Sequence, residues 1–334
     1  MSSHPTLPYP TLHRTALILI LVGKETVPQS KKAVFASAAP IKLVAIDMDG
    51  TLLDSNSRVL PSSVEAIKAA LATRSVTMML ATGKARPAAM TAMRVVGLAG
   101  DGLLVGPRHP GLFLQGLAVH SLAAGELIGG GVLSPSVVCA AFEYALATST
   151  PICGFLGDTC VTIGSMTPEI LELHERFYEP LATVAPSVEH IVQGPPMRKL
   201  LFMTNSHVVS DVLKPYWDSK LSTSYGGTAM TMQAVPDMLE IVPRGHNKFV
   251  GLQVMLAQHG KSLESQNAAT QQNLLSLESV MAIGDGGNEL ELVAGVGVGV
   301  AMGNAVPAVK EVATAVVASN DEGGVAEAIE KFIL

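Results

Sequence analysis

Residues 42–53 read KLVAIDMDGTLL and combine two patterns. The first half, Lys42–Ile46, is a short apolar run that predicts a buried β-strand. The second half begins with DMDG at 47–50 and predicts a tight turn, because Asp and Gly favour turn conformations. Asp47 and Asp49 would then stand at the carboxyl end of a strand, where open parallel sheets bind their ligands.

Strand and helix patterns alternate on both sides of the middle of the chain. One apolar strand ends at ATG, residues 81–83, and a later one ends at GDGGN, residues 284–288. This alternation predicts right-handed crossovers and a parallel sheet. The predicted elements are the helices Ser62–Ala72, Pro87–Val96 and Glu289–Ala294 and the strands Val76–Leu80, Val280–Ile283, Val296–Ala301 and Ala315–Ala318.

The middle of the chain, from about residue 101 to 236, has a different pattern. Short strand-like runs such as Gly111–Val119 are separated by Gly, Pro and Ser, with helical patterns between them. We interpret this region as an inserted module. The predicted fold class is therefore α/β, with a Rossmann-like parallel-sheet core (41–106 and 239–334) and an inserted α/β cap domain (107–238). Residues 262–276, rich in Gln, Asn and Ser, predict a flexible insertion in the core.

Composition limits the class of protein. The 334 residues are 48% hydrophobic and 15% charged, which fits a globular protein of about two domains. The net charge of −6 and the lack of a basic stripe argue against a nucleic acid partner. The apolar run Ala16–Val22 is too short to span a bilayer, so no membrane association is predicted. Composition leaves the oligomeric state open.

The first 40 residues form a predicted leader. They carry four basic residues but only one acidic residue, Glu25, together with several Ser and Thr. An acid-poor, hydroxyl-rich leader is typical of an organelle transit peptide, which would place the protein in a plastid. A disordered tail or a surface strand is the alternative, and the protein would then be cytoplasmic.

Three predicted strand ends carry polar side chains: Asp47 with Asp49, Thr82, and Asp285 with Asn288. If they converge, the carboxylates repel each other unless a cation neutralises them. Ligation by oxygen alone selects a hard ion, and Mg²⁺ also accepts a substrate phosphate oxygen as a ligand. An aspartate can attack phosphorus, and a lysine such as Lys248 can offset the charge that develops.

The motifs DMDGTLL (47–53), ATG (81–83), Lys248 and GDGGN (284–288) resemble, in order, the four motifs of the haloacid-dehalogenase-like hydrolase superfamily. Within it the chain is similar to the Cof-type phosphatases, whose α/β cap lies between the second and third motifs. More narrowly, it resembles the hydrolase-like region that some plant and algal plastid proteins carry beside an endoribonuclease domain. The resemblance runs from about Ile41 to the C-terminus.

The resemblance implies roles for individual residues. Asp47 would be the nucleophile and a Mg²⁺ ligand, and Asp49 the general acid/base, binding the metal through its backbone carbonyl. Asp285 would complete the metal site. The predicted phosphate-binding residues are Thr82, Gly83, Lys248, which would offset charge on the intermediate, and Asn288, which would orient the site.

These roles together predict a Mg²⁺-dependent phosphatase of small phosphorylated metabolites, sugar phosphates or cofactor phosphates, acting through an aspartyl-phosphate. A sugar phosphomutase and a non-catalytic binding or regulatory module are the alternatives. The family pattern has Asp where this chain has Glu289, and Arg is commoner at the position of Lys84. Because no His-x3-His-x5-His pattern occurs, we predict no RNA cleavage by this chain.

Overall fold

The structure is a computed structural model, and it describes residues 39–233, 235–265 and 275–334. The predicted leader lies outside the described residues except for Ala39 and Pro40. Residues 266–274 of the predicted flexible insertion lie outside them as well. Its first four residues, 262–265, belong to a helix that ends at Ser265. Within the described ranges, no helix is both long and apolar enough to cross a membrane.

Strands and helices alternate along the described residues. The strands are β1 (Leu43–Ile46), β2 (Thr77–Leu80), β3 (Gly111–Phe113), β4 (Ala118–His120), β5 (Leu127–Gly129), β6 (Ile152–Phe155), β7 (Cys160–Ile163), β8 (Thr183–Ala185), β9 (Lys199–Met203), β10 (Ala229–Met232), β11 (Met238–Pro243), β12 (Val280–Gly284), β13 (Val298–Ala301) and β14 (Ala315–Val316). The helices are α1 (Pro61–Thr73), α2 (Arg86–Arg94), α3 (Pro135–Thr148), α4 (Pro168–Glu175), α5 (Val188–Gln193), α6 (Ser206–Val208), α7 (Lys214–Ser224), α8 (Lys248–Ser265), α9 (Leu290–Gly295), α10 (Pro307–Val312) and α11 (Gly324–Phe332).

A five-stranded parallel sheet, in the order β14-β13-β12-β1-β2, forms the core. All four residues of β1 are fully buried. Val44 and Ile46 belong to the hydrophobic cluster on one face of the sheet, and Leu43 and Ala45 to the cluster on the other. A parallel strand covered on both faces must be apolar throughout, which explains why β1 shows no alternation. The predicted α/β fold class with a parallel-sheet core is confirmed.

The pairing register brings the predicted strand ends together. Ile46, the last residue of β1, pairs with Leu80 of β2 on one side and with Ile283 of β12 on the other. The chain leaves all three strands at the same edge of the sheet. The motifs that follow them therefore meet there.

The cap is a second, six-stranded sheet, in the order β10-β11-β9-β6-β7-β8, whose pairs are antiparallel except for β7 with β8. A cluster that includes Phe142, Phe202 and Trp217 fills one of its faces, beneath α3, α5 and α7. An inserted α/β cap accompanies the parallel core, as the predicted fold class requires.

The sheets correct two of the expected domain boundaries. Strand β11, which includes Leu239–Pro243, pairs with β9 and β10, so these residues belong to the cap sheet and not to the core. Residues 111–129 form a small three-stranded sheet, β3-β4-β5, and Leu112 and Val119 pack with Leu43 and Ala45 on the core. Both differences arise from long-range pairing, which local sequence patterns do not encode.

Candidate active site

Asp47 follows β1 directly and is 5% exposed. Its backbone N–H donates to the Ile283 carbonyl over 3.0 Å, which ties the turn to β12. Its carboxylate oxygen Oδ1 lies 2.5 Å from the ammonium nitrogen Nζ of Lys248. A carboxylate and an ammonium group that are far apart in the sequence thus form a buried ion pair.

Lys248 is the first residue of α8 and is 1% exposed. Its Nζ donates to Asp47 and also to Oε1 of Glu289. Burial works against the charged form, but the two carboxylates outweigh it, and the pKa of Lys248 is raised. Lys248 therefore carries its positive charge throughout the physiological pH range.

Glu289, where the family pattern has Asp, lies in the site although it is not among the predicted site residues. It is 1% exposed, and its second oxygen, Oε2, accepts a hydrogen bond of 2.8 Å from the backbone N–H of Gly286. The longer side chain thus contacts Lys248 and the GDGGN loop at the same time. The signal in the sequence was its place directly after that motif.

Asp285 occupies the other side of the site, and Thr51 Oγ1 donates to its Oδ1 over 2.7 Å. Gly50 passes so close that an added Cβ would lie 2.5 Å from Oδ2 of Asp285, and its φ of +80° also favours glycine. Burial raises the pKa of Asp285. The Gly-Thr pair of the first motif is therefore needed to pack against the last motif.

Asp49 and Thr82 lie at the outer part of the site. The side chain of Asp49 is 58% exposed and forms an ion pair of 3.3 Å with Lys84. Thr82 is fully buried, and its Oγ1 accepts a hydrogen bond from the backbone N–H of Lys84 over 3.2 Å. Lys84, a departure from the family pattern, thus has a partner in the first motif.

Asn288 contacts a residue that motif reasoning did not select. Its amide nitrogen donates to Oε1 of Gln115 over 3.1 Å and also to Glu289. Gln115 follows β3 and belongs to the predicted strand Gly111–Val119, so nothing in its local pattern indicated a site residue. The structure thus brings together all seven predicted site residues and adds Glu289 and Gln115 to them.

The acidic groups of the site form a compact set. Oxygen atoms of Asp47, Asp285 and Glu289 all lie within 4.8 Å of one another. When all three carboxylates are ionised, the single ammonium of Lys248 leaves two negative charges uncompensated in a mostly buried space. An all-oxygen donor set with this charge fits a hard divalent cation such as Mg²⁺.

Asp47 makes the stability of the metal-free protein depend on pH. Burial raises its pKa from 3.8 to about 7, against the opposing effect of Lys248. Between these values the folded protein holds a proton that the unfolded chain has released, so stability falls as pH rises from about 4 to 7. Asp47→Asn cannot release this proton, so its unfolding free energy should not show this fall. Relative to the wild type, we expect its unfolding free energy to rise by about 2–3 kcal/mol as pH increases from 5 to 8. Urea unfolding with a chelator at both pH values measures this; an unchanged difference between the proteins would contradict it.

The parallel sheet, the inserted cap and the carboxylate at the end of β1 define a class of hydrolase. A family model described as haloacid dehalogenase-like hydrolase matches residues 44–329, so the chain belongs to this family. A solved haloacid dehalogenase-like hydrolase from Bacteroides thetaiotaomicron has a TM-score of 0.70 with 25% identity, covering 87% of this chain and 99% of that one.

Two named relatives are similar to the chain over most of its length. The chain is 35% identical over 286 residues to a protein of Arabidopsis thaliana named endoribonuclease YBEY, chloroplastic; the match covers 86% of this chain but 45% of the relative. The chain thus spans about half the length of that relative. It is 28% identical over 271 residues to an HMP-PP phosphatase of an Enterobacter species, covering 80% of this chain and 85% of that protein. The predicted family and hydrolase class are confirmed.

Proposed function

We propose that this protein is a Mg²⁺-dependent phosphatase that hydrolyses small phosphorylated metabolites through an aspartyl-phosphate on Asp47. The observation that carries the proposal is the buried Asp47 carboxylate, held 2.5 Å from Lys248 beside Asp285 and Glu289. A phosphatase of similar sequence in Enterobacter, named for HMP-PP, supports the substrate class.

Asp47 and Asp49 divide the chemistry between them. An oxygen of Asp47 attacks phosphorus, and the bond from phosphorus to the leaving oxygen breaks. Asp49 gives that oxygen its proton, since it follows Asp47 by two residues and is exposed enough to exchange protons with solvent. Asp49 then takes a proton from water, which attacks the phosphorus and releases inorganic phosphate from Asp47.

The neighbouring groups hold the phosphoryl oxygens during both steps. The Thr82 hydroxyl group donates a hydrogen bond to a phosphoryl oxygen, and Gly83 allows the backbone to approach the substrate closely. Lys248 offsets the developing negative charge. Asn288 orients the site through its contacts with Glu289 and Gln115. Thr82 and Lys248 are preorganised because each already forms hydrogen bonds within the folded protein.

Asp47, Asp285 and the backbone carbonyl of Asp49 would hold Mg²⁺. Glu289 lies close enough to add a further negative charge to the site. Bound Mg²⁺ neutralises the carboxylates and the substrate phosphate so that both anions can approach. Without it, the site keeps an uncompensated negative charge that repels phosphate.

Glu289→Gln tests the contribution of this carboxylate. The substitution keeps the shape of the side chain but removes one negative charge from the acidic set. We expect Mg²⁺ affinity to fall by about 10-fold to 100-fold, the range for groups that support metal ligands. Calorimetric titration with Mg²⁺ measures it. Glu291→Gln, an exposed neighbour in α9, is the matched control, and equal affinities for the two variants would count against the assignment.

The cap contacts the segment that directly follows Thr82 and Gly83. Both carboxylate oxygens of Glu179, between α4 and β8, lie 3.3–3.4 Å from the backbone N–H of Ala85. Arg86 forms an ion pair with Asp158, in the turn between β6 and β7. These contacts join the cap to the segment that follows Thr82 and Gly83, and we expect the cap to exclude water from the site and to select the leaving group.

Phosphate release from p-nitrophenyl phosphate and a panel of phosphorylated metabolites, with Mg²⁺ and with a chelator, tests the proposal. Release that requires Mg²⁺ supports it and ranks the substrates. Isomerised substrate without net phosphate release would identify a phosphomutase instead. A well-folded protein that turns over no substrate would favour the non-catalytic binding module.

We further propose that the protein acts in a plastid. Support comes from the acid-poor, hydroxyl-rich leader and from the relative in Arabidopsis thaliana whose name includes the word chloroplastic. Import of the full chain into isolated plastids tests the location. Failure of import would leave the cytoplasm as the alternative.

A further inference from the structure

Three consecutive residues between β3 and β4 have left-handed backbone conformations. The φ angles are +51° at Leu114, +60° at Gln115 and +85° at Gly116. Residues other than glycine avoid this region, and when they occupy it their surroundings hold them there, often at functional sites. We therefore expect contacts with neighbouring segments to hold this turn in place.

The turn is bonded to two segments of the active site. The backbone N–H of Leu114 donates to the Lys84 carbonyl, and that of Gln115 donates to the Thr82 carbonyl, each over 3.0 Å. On the other side, an added Cβ at Gly116 would lie 2.3 Å from the carbonyl oxygen of Asn247, the residue before Lys248. The loop that carries Thr82 and the start of α8 thus hold the turn between them.

The turn directs the side chain of Gln115 into the site. Its Oε1 accepts the hydrogen bond from Asn288 over 3.1 Å. Its Nε2 lies against Gly83, where an added Cβ would be 2.6 Å from that nitrogen. No acceptor for the Nε2 hydrogens occurs among the residues that the structure describes. Gln115 therefore presents a free neutral donor between Gly83 and Asn288.

We propose that Gln115 is a substrate-binding residue whose Nε2 donates a hydrogen bond to a phosphoryl oxygen while its Oε1 positions Asn288. The inference rests on the proposed phosphatase function and deepens it. A phosphoryl oxygen is the chemical match because Nε2 can only donate and lies against the loop of Thr82 and Gly83. Close packing also favours glycine at position 83, because a larger side chain would have to displace the Gln115 amide.

Two variants separate binding from folding. Gln115→Gly removes the amide and relieves the positive φ, so we expect its thermal midpoint to equal or exceed that of the wild type. Its kcat/KM for p-nitrophenyl phosphate should nevertheless fall about 10-fold to 100-fold, and the Ki of inorganic phosphate should rise about as much, the range for a hydrogen bond to a charged group. Gln115→Glu keeps the acceptor for Asn288 but faces phosphate with an anion, and should lose more.

Gln193→Glu, an exposed position at the end of α5, makes the same charge change and should behave as the wild type. Folded Gln115 variants with unchanged kcat/KM and Ki, beside an active wild type, would overturn the inference and leave the phosphatase proposal intact. An inactive wild type would instead remove the proposed function and this inference with it.

Discussion

Asp47→Asn is expected to lower the kcat of phosphate release by at least about 10³-fold, because an amide cannot attack phosphorus and form the covalent intermediate. The side chain keeps its size, so the packing of β1 and the turn after it should persist. Lys248 keeps its contact with Glu289 and remains in place. The substitution should therefore lower kcat without unfolding the protein. Phosphate release from the substrate panel at saturating Mg²⁺ measures this effect.

An exposed aspartate of the cap, Asp211, provides the control. Asp211→Asn removes the same charge away from the site and should leave kcat unchanged. Circular dichroism must show that Asp47→Asn is folded. If the folded Asp47→Asn variant kept more than a few per cent of wild-type kcat, another residue would have to be the nucleophile.

Lys248→Met is expected to cost about 3–5 kcal/mol of unfolding free energy at pH 8 without Mg²⁺. The apolar side chain fills a similar volume, but Asp47 and Glu289 lose the ammonium between them and remain buried with no positive charge to compensate theirs. Protonation would relieve them, so the deficit should shrink as pH falls. Added Mg²⁺ should also restore part of the stability, since it supplies the missing positive charge. Urea unfolding at pH 8 and pH 5 measures both effects.

Lys214→Met is a matched control because Lys214 forms an ion pair with Asp218 at 2.7 Å, close to the distance in the buried pair. The side chains of Lys214 and Asp218 are 40% and 48% exposed, so water screens this ion pair. Its loss should therefore change the unfolding free energy little. Equal destabilisation of the two variants would mean that burial does not set the strength of the Lys248 contacts.

Several features of the fold could be predicted because they depend on local patterns. The apolar strand before DMDG and the ATG and GDGGN motifs after later strands indicated a parallel α/β sheet. In such a sheet all strands end at one edge, so the convergence of Asp47, Thr82 and Asp285 followed from topology alone. Lys248 required the resemblance to the family, because a single lysine before a helix has no distinctive pattern.

Other features depended on contacts between distant segments. Strand β11 lies next to the core in the sequence but pairs with the cap, because hydrogen bonding to β9 and β10 satisfies its backbone. The run Gly111–Val119 reads as one strand, yet the left-handed turn at Leu114–Gly116 divides it into β3 and β4. No glycine marks the first two positions of that turn. Tertiary hydrogen bonds to Thr82 and Lys84 hold them there.

The sequence patterns therefore predicted the parallel sheet and the meeting of Asp47, Thr82 and Asp285 at its edge, since these follow from residue type and strand order, and the family resemblance supplied the proposed role of Asp47 as nucleophile. Only the tertiary structure brought Glu289 into contact with Lys248. It also placed Gln115 against Asn288 and Gly83. Those contacts join positions that are 41 residues apart in the first case and 173 in the second. Residues so far apart have no shared local pattern, and only the packed core determines which of their polar groups meet.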